Sequence, residues 1–159
     1  MDAYFERRAR ETFASIRYAT IATSNNQGDP WNSAVDSVHD REANVYWVSD
    51  KRSQHSRNVR HNPNVFILFY DSTVIPGKGE GLYLKARAFE LSDIDAIMGA
   101  RQILGEADDT SSEQFSGESI LRIYKAVPTD AWVNTAEIRD GVFIRDYRVE
   151  IPLAALRAR

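Results

Sequence analysis

From residue 18 to residue 91 the chain runs in short β-branched, aromatic and aliphatic segments separated by turn signals, a pattern that a helical bundle cannot accommodate. Tyr18-Ala19-Thr20-Ile21-Ala22-Thr23 reads as a strand, because β-branched and aromatic side chains suit a pleated surface. Asn25-Asn26-Gln27-Gly28-Asp29-Pro30 is a turn signal. Residues 31–39 alternate Trp31, Ser33, Val35 and Ser37 against Asn32, Ala34, Asp36 and Val38, an imperfect second strand. Residues 40–43 turn the chain, and residues 44–49 make a third strand. Short loops between three successive strands predict an antiparallel meander.

Helical periodicity occurs only between or before such runs. Residues 3–16 place Tyr4, Phe5, Ala9, Phe13 and Ile16 near helical spacing with charges between them, which predicts an amphipathic helix. Residues 53–60 are polar and helix-compatible, and stop before Asn62-Pro63 because the residue before a proline disfavours the α region. Val65-Phe66-Ile67-Leu68-Phe69-Tyr70 is a continuous apolar run, the mark of a buried strand. After the Pro76-Gly77-Lys78-Gly79 loop, residues 81–91 alternate Leu82, Leu84, Ala86 and Ala88 with Tyr83, Lys85, Arg87 and Phe89 in a long strand. Ser92 is expected to cap a helix running to about Leu104, and a short helix is expected over residues 112–119. Strands follow over residues 121–127 and 131–136, parted by Pro128, and over 142–151 after the Asp140-Gly141 turn. The result is a mainly β chain with peripheral helices, a small closed or partly closed β-barrel; a sandwich would use the same elements, and pattern alone does not separate the two.

The sequence of 159 residues suits one domain spanning residues 1–159. A net charge of −3 provides no basic field to attract nucleic acid. The chain has no cysteine, which excludes disulfides, zinc–thiolate sites and thiol nucleophiles and fits a cytoplasmic location. The charged start, Met1 to Arg10, is not a secretory signal. No window approaches the roughly 18 apolar residues of a membrane span. His39, His55 and His61 lack metal-ligand spacing, so no metal site is expected. No G-x-S-x-G elbow is present, and no catalytic dyad or nucleophile can be named. Gly77, Gly79 and Gly81 read as a hairpin loop, since neither a dinucleotide nor a Walker pattern follows.

The informative stretch is residues 50–63. A helix begins near Ser53 directly after a strand, and the free N–H groups of a helix start attract an anion. Lys51, Arg52, His55 and Arg57 crowd that start beside donors on Ser53, Gln54 and Asn58. Cations there are unfavourable to the helix itself, a cost that a docked anion reverses. Two readings of these residues stand level: a phosphate site, or a solvated helix face carrying a charge run.

The order of Ala19-Thr20-Ile21-Ala22-Thr23, Gly28-Asp29-Pro30, Val48-Ser49, Ser53-Gln54-His55 and Asn58-Val59-Arg60-His61-Asn62-Pro63-Asn64-Val65 resembles the pyridoxamine 5'-phosphate oxidase-like FMN-binding split-barrel family. The resemblance continues through residues 81–91 and more loosely through 124–151. It implies an antiparallel, Greek-key-like split β-barrel and a homodimer with flavin at the interface. It also implies an FMN-dependent oxidoreductase acting on a small molecule. Asn32, Ser33, Ala34, Val35 and Asp36 would then run beneath the flavin ring, and Val48 and Ser49 would meet the ring or ribityl chain. Ser53, Gln54 and His55 would sit at the phosphate with Lys51 and Asn58 near, and Trp132 would lie near the ring bound by the partner. The oxidase proper has an Arg-Lys pair where this chain has Gln54-His55, and its C-terminal Trp- and Arg-containing signature is not recognisable here, so the resemblance does not imply oxidation of pyridoxamine phosphate itself. Two further alternatives follow from it: a reductase using deazaflavin F420, with Lys51, Arg52, Arg57 and Arg60 along its tail, and a non-enzymatic flavin- or haem-binding module.

Overall fold

Alternation along Tyr18–Ser24, strand β1, sends Ala19, Ile21 and Thr23 inward and leaves Tyr18 and Ala22 outward. Strand β2 (Pro30–His39) pairs antiparallel with β1, Thr20 facing Ala34, and β3 (Val45–Asp50) pairs with β2. After the meander the chain returns through β4 (Asn64–Tyr70) to the free edge of β1, then adds β5 (Gly81–Glu90), β6 (Leu121–Arg139) and β7 (Val142–Ile151). The computed structural model describes residues 3–75, 79–105 and 112–157.

The sheet order is β3-β2-β1-β4-β5-β6-β7, and β3 also pairs with β6. Strands β1 to β6 therefore close a ring, a barrel rather than a sandwich. Placing β4 beside β1 after the meander is the expected Greek-key connection. β6 makes the closure unequal. Its residues 121–126 pair with β3 on one edge, and the same edge pairs with β7 from Ala131 onward, so the barrel opens between β3 and β7.

Three helices dress the ring among the described residues: α1 (Ala3–Ser15), α2 (Gln54–His61) and α3 (Ile94–Leu104). α1 inserts Ala9 and Phe13 into the barrel core and α2 inserts Val59. Inside, Trp47 stacks on Tyr124 with ring centroids 5.5 Å apart, among fully buried Ile21, Ile67, Leu82 and Leu84. Burying each such aliphatic side chain contributes about 1.5–3 kcal/mol. α3 covers a second cluster on the outside, built on Tyr46, Ile123, Leu91, Ile97, Ala100 and Phe115.

The structure departs from the sequence expectations at three places. Residues 121–127 and 131–136 belong to one 19-residue strand. Pro128 is tolerated because the register slips beside it: Lys85 faces Asp130 but Ala86 faces Pro128, so Thr129 bulges out. Asp93, not Ser92, caps α3, its carboxylate accepting the Ala96 N–H at 2.9 Å; a carboxylate also suits the positive end of the helix. The short helix after residue 112 is a 3-10 turn, Ser112–Phe115. Trp31 is half exposed, its indole N–H donating to Ser33 Oγ at 3.1 Å. Residues 76–78 of the expected glycine loop lie outside the described residues.

Two surfaces remain open. On the outside of β4, β5 and β6, Phe66 stacks against Trp132 and tilts against Tyr83, with the Arg148 guanidinium 4.0 Å from the Tyr83 ring centre. Past Val133, β6 keeps only β7 as a neighbour, and this ribbon exposes Ile138, Val142, Phe143, Ile144 and Tyr147. No helix among the described residues is long and apolar enough to cross a membrane.

Candidate functional site

The turn between β3 and α2 is built by its own side chains. Asp50 closes it: its carboxylate accepts the Arg52 N–H at 2.7 Å and the Arg52 guanidinium at 2.8 Å. These hydrogen bonds hold the Asp50 carboxyl down at about 2. Ser53 is extended (φ −61°, ψ 155°) and its hydroxyl accepts the Ser56 N–H, so it is the N-cap of α2. The N–H groups of Gln54 and His55, in the first helical turn, have no acceptor within the helix.

What faces away from the turn matters as much. The Lys51 carbonyl accepts Arg60 Nη2 at 2.6 Å, and the Arg52 carbonyl accepts Arg57 Nη1. Arg57 also donates to Gln54 Oε1 at 2.8 Å, Gln54 Nε2 donates to Asn58 Oδ1 at 2.8 Å, and Asn58 Nδ2 donates to Thr23 Oγ1 at 3.0 Å on β1. These carbonyls are thus tied back, and the N–H groups of Lys51, Arg52 and Ser53 are engaged by the Ile120 carbonyl, the Asp50 carboxylate and the Asp50 carbonyl, which leaves those of Gln54 and His55. Among the described residues Lys51 has no carboxylate within ion-pair distance; its ammonium meets only the Glu118 carbonyl, at 3.5 Å. An ammonium without an ion-pair partner and the free first-turn amides of the helix are donors of the kind that bind a phosphate monoester.

Next to the turn lies a polar cluster around His55. His55 is buried, with Nε2 2.9 Å from Ser49 Oγ and Nδ1 3.1 Å from Ser33 Oγ. Ser53 Oγ donates to Ser56 Oγ at 2.8 Å on the same side. Burial pushes the His55 pKa down, so the ring is neutral and bridges its serines as one donor and one acceptor.

The structure therefore brings these residues into two hydrogen-bonded groups, Ser33, Ser49 and Ser53 around His55, and Gln54 with Asn58, while Lys51 bonds to neither. It turns the Ser33 and Ser49 side chains toward His55. Val35 is buried inside, whereas Asn32, Ala34 and Asp36 point outward; Asp36 is paired with Arg17. Val48 packs beside the α3 cluster. Trp132 stands apart from the turn, in the outer aromatic cluster of β4 to β6. Sequence reading missed Thr23 and Glu90. Thr23 was visible only as a hydroxyl on the inward phase of β1. Glu90, which binds Arg60, Arg122 and Tyr124, had only the weak signal of a carboxylate ending an apolar strand.

Residues 5–124 match the family model for pyridoxamine 5'-phosphate oxidase. No curated protein matches the chain. Among solved structures, the chain is similar to the protein Atu2129 of Agrobacterium tumefaciens (16% identity, 100% of this chain and 63% of that one, TM-score 0.69). It is similar to a heme binding protein of Mycobacterium smegmatis (18%, 94% and 59%, TM-score 0.66). It is also similar to HutZ, the heme storage protein of Vibrio cholerae (20%, 79% and 90%, TM-score 0.61). At these identities the likeness concerns the fold.

Proposed function

Because the chain belongs to the pyridoxamine 5'-phosphate oxidase family, we propose that it is a homodimeric, FMN-binding oxidoreductase, folded as one domain over residues 1–159. The observation that carries this reading is the start of α2, where the N–H groups of Gln54 and His55 have no acceptor within the helix and Lys51 precedes them with no ion-pair partner among the described residues. Lys51 and the amides of Gln54 and His55 take the phosphate, while Ser53 and Asn58 keep the helix start in place. A bound flavin supplies hydride and electron transfer, and the protein supplies binding and orientation. The outward residues of β2, Asn32, Ala34 and Asp36, support the ring, with the backbone of Ser33 and Val35 between them. Val48 and Ser49 lead from the ring to the phosphate, and Trp132 of a second copy closes the site.

Two details favour FMN over the alternatives. The longer anionic tail of F420 needs several free cations, but Arg52 is paired with Asp50, Arg57 is bonded to the Arg52 carbonyl, and Arg60 is paired with Glu90. At this turn haem would need an accessible axial ligand, and His55 is enclosed by serines, while the exposed His39 and His61 stand outside that serine group. Association of two chains is supported by the apolar ribbon of β6 and β7 and by the open aromatic cluster. The test is the absorption spectrum of the purified protein, followed by titration with FMN, riboflavin and F420. Flavin bands and tighter binding of FMN than of riboflavin support the reading. Tighter binding of F420, haem bands, or a colourless protein that FMN does not stabilise would overturn it; at 100 times its Kd a ligand adds about 2.7 kcal/mol.

A further inference from the structure

Glu90 touches no part of the proposed phosphate site, yet both of its oxygens lead to it. Oε2 accepts Arg60 Nη1 at 3.1 Å, and the other terminal nitrogen of Arg60 donates to the Lys51 carbonyl at 2.6 Å. Oε1 accepts Arg122 Nε at 3.0 Å. Arg122 in turn donates to the carbonyls of Ser119 (2.6 Å), Leu121 (2.7 Å) and Gly117 (2.6 Å), which fixes the chain on both sides of Ile120. The Ile120 carbonyl accepts the Lys51 N–H at 2.9 Å. The two guanidinium groups that Glu90 orients therefore hold the Lys51 backbone from opposite directions, one at its C=O and one at its N–H.

Tyr124 secures the carboxylate from within the barrel, donating its hydroxyl to Glu90 Oε2 at 3.1 Å. Each member is well placed to be rigid. The Arg122 side chain is 9% exposed and that of Glu90 24%, and a charge pair that is largely out of water is held more firmly than a surface one. Among the described residues Lys51 itself is anchored by nothing else of comparable strength, since its ammonium has only the 3.5 Å contact with the Glu118 carbonyl. Resting on the FMN reading above, we infer that Glu90 is the positioning residue of the phosphate site. It sets the Lys51 backbone, and with it the ammonium and the outward tilt of the turn, without contacting the ligand. Arg60 and Arg122 transmit that position.

The experiment compares FMN and riboflavin dissociation constants for the wild type, Glu90→Gln, and Arg60→Met, with a thermal melt of each protein. Riboflavin lacks the phosphate and so reports everything but this site. Arg60 is 40% exposed, so its variant keeps the fold even where the loss of a counter-charge for buried Arg122 unfolds Glu90→Gln. The expected result is a loss of about tenfold in FMN affinity, equivalent to about 1.4 kcal/mol, with riboflavin changed less than about twofold. Combining the two substitutions should add little beyond either alone, because both release the same carbonyl. Equal losses for both ligands, or no loss in Arg60→Met, overturn the inference while the phosphate site stands. A wild type that binds riboflavin as tightly as FMN overturns the phosphate site and the inference with it.

Discussion

His55 Nε2 lies 2.9 Å from Ser49 Oγ, tying the first turn of α2 to the end of β3 through a ring that is nearly removed from water. Its other nitrogen meets Ser33 Oγ at 3.1 Å, so both ring nitrogens are partnered, and what opposes a second proton is the removal of the charged ring from water. Burial lowers the pKa of this ring in the folded state, whereas in the unfolded chain it titrates near 6.5. The unfolded state therefore binds the proton first as pH falls. Stability is full above about pH 6.5, declines below it, and levels once the folded ring is also protonated. Thermal melts between about pH 7.5 and 5 should show that decline, and His55→Gln should flatten it. Parallel profiles for the two proteins would remove His55 as its cause.

Among the described residues Lys51 is the cation of the turn that makes no ion pair, its ammonium meeting only the Glu118 carbonyl. A charge-assisted hydrogen bond to phosphate is worth about 1.5–3 kcal/mol. Lys51→Met is expected to weaken FMN about 10- to 100-fold by isothermal titration and to leave riboflavin nearly unchanged. Gln54→Glu should act in the same direction, because a carboxylate at the helix start repels the phosphate. If either substitution weakens both ligands alike, that residue does not meet the phosphate.

The strands were legible because their determinants are local. Alternation in residues 18–24 and 81–90, the apolar run of β4 and the turn residues between strands specify strands and faces without reference to the rest of the chain. The make-up of the turn was legible for the same reason, since Asp50, Lys51, Ser53 and the helix start are neighbours in sequence. What the charges do there was not. Arg52, Arg57 and Arg60 look interchangeable with Lys51 in a one-dimensional reading, and only the fold shows them engaged with Asp50, Gln54 and Glu90. Closure of the ring by β3 and β6 joins segments about 75 residues apart, Val45 opposite Ala126 being one pair, and no local pattern encodes that register. The continuity of β6 across Pro128 was hidden by the proline rule itself, which the bulge at Thr129 satisfies in a way that depends on β5.

Two glycines should respond oppositely to alanine. A Cβ on Gly81 would lie 3.0 Å from Leu68 Cδ1, 3.1 Å from Tyr83 Cε2 and 3.3 Å from Asn134 Oδ1, the atom that accepts the Gly81 N–H. Overpacking of this kind costs about 1–3 kcal/mol. Gly99 sits inside α3 with open space, nothing within 4 Å, where a Cβ would stand and with no positive φ, so alanine there gains about 0.5–1 kcal/mol of helix propensity. At roughly 2–4 °C per kcal/mol, the melts of Gly81→Ala and Gly99→Ala should move to opposite sides of the wild type. A rise for Gly81→Ala would show that β4 and β6 yield more easily than their packing implies.

The ribbon of β6 and β7 beyond Val133 tests the dimer. Two strands alone are marginal in water, and this pair exposes Ile138 (63%), Phe143 (58%) and Val142 (61%) in neighbouring positions, with Ile138 paired to Phe143 across the ladder. Aliphatic and aromatic side chains at such exposure gain most by meeting a second protein surface, and a two-fold axis offers the same surface twice. Light scattering is expected to give about twice the 18.1 kDa chain mass. Phe143→Asp should produce monomers, because a carboxylate is stranded at the contact, yet keep its own thermal transition, because the side chain packs on little of its own barrel. The same monomers should bind FMN more weakly than the wild type, since the proposed site borrows Trp132 from the second copy. Retention of the dimer in Phe143→Asp would move the interface elsewhere, and a monomer with undiminished FMN affinity would show that one chain holds the flavin alone.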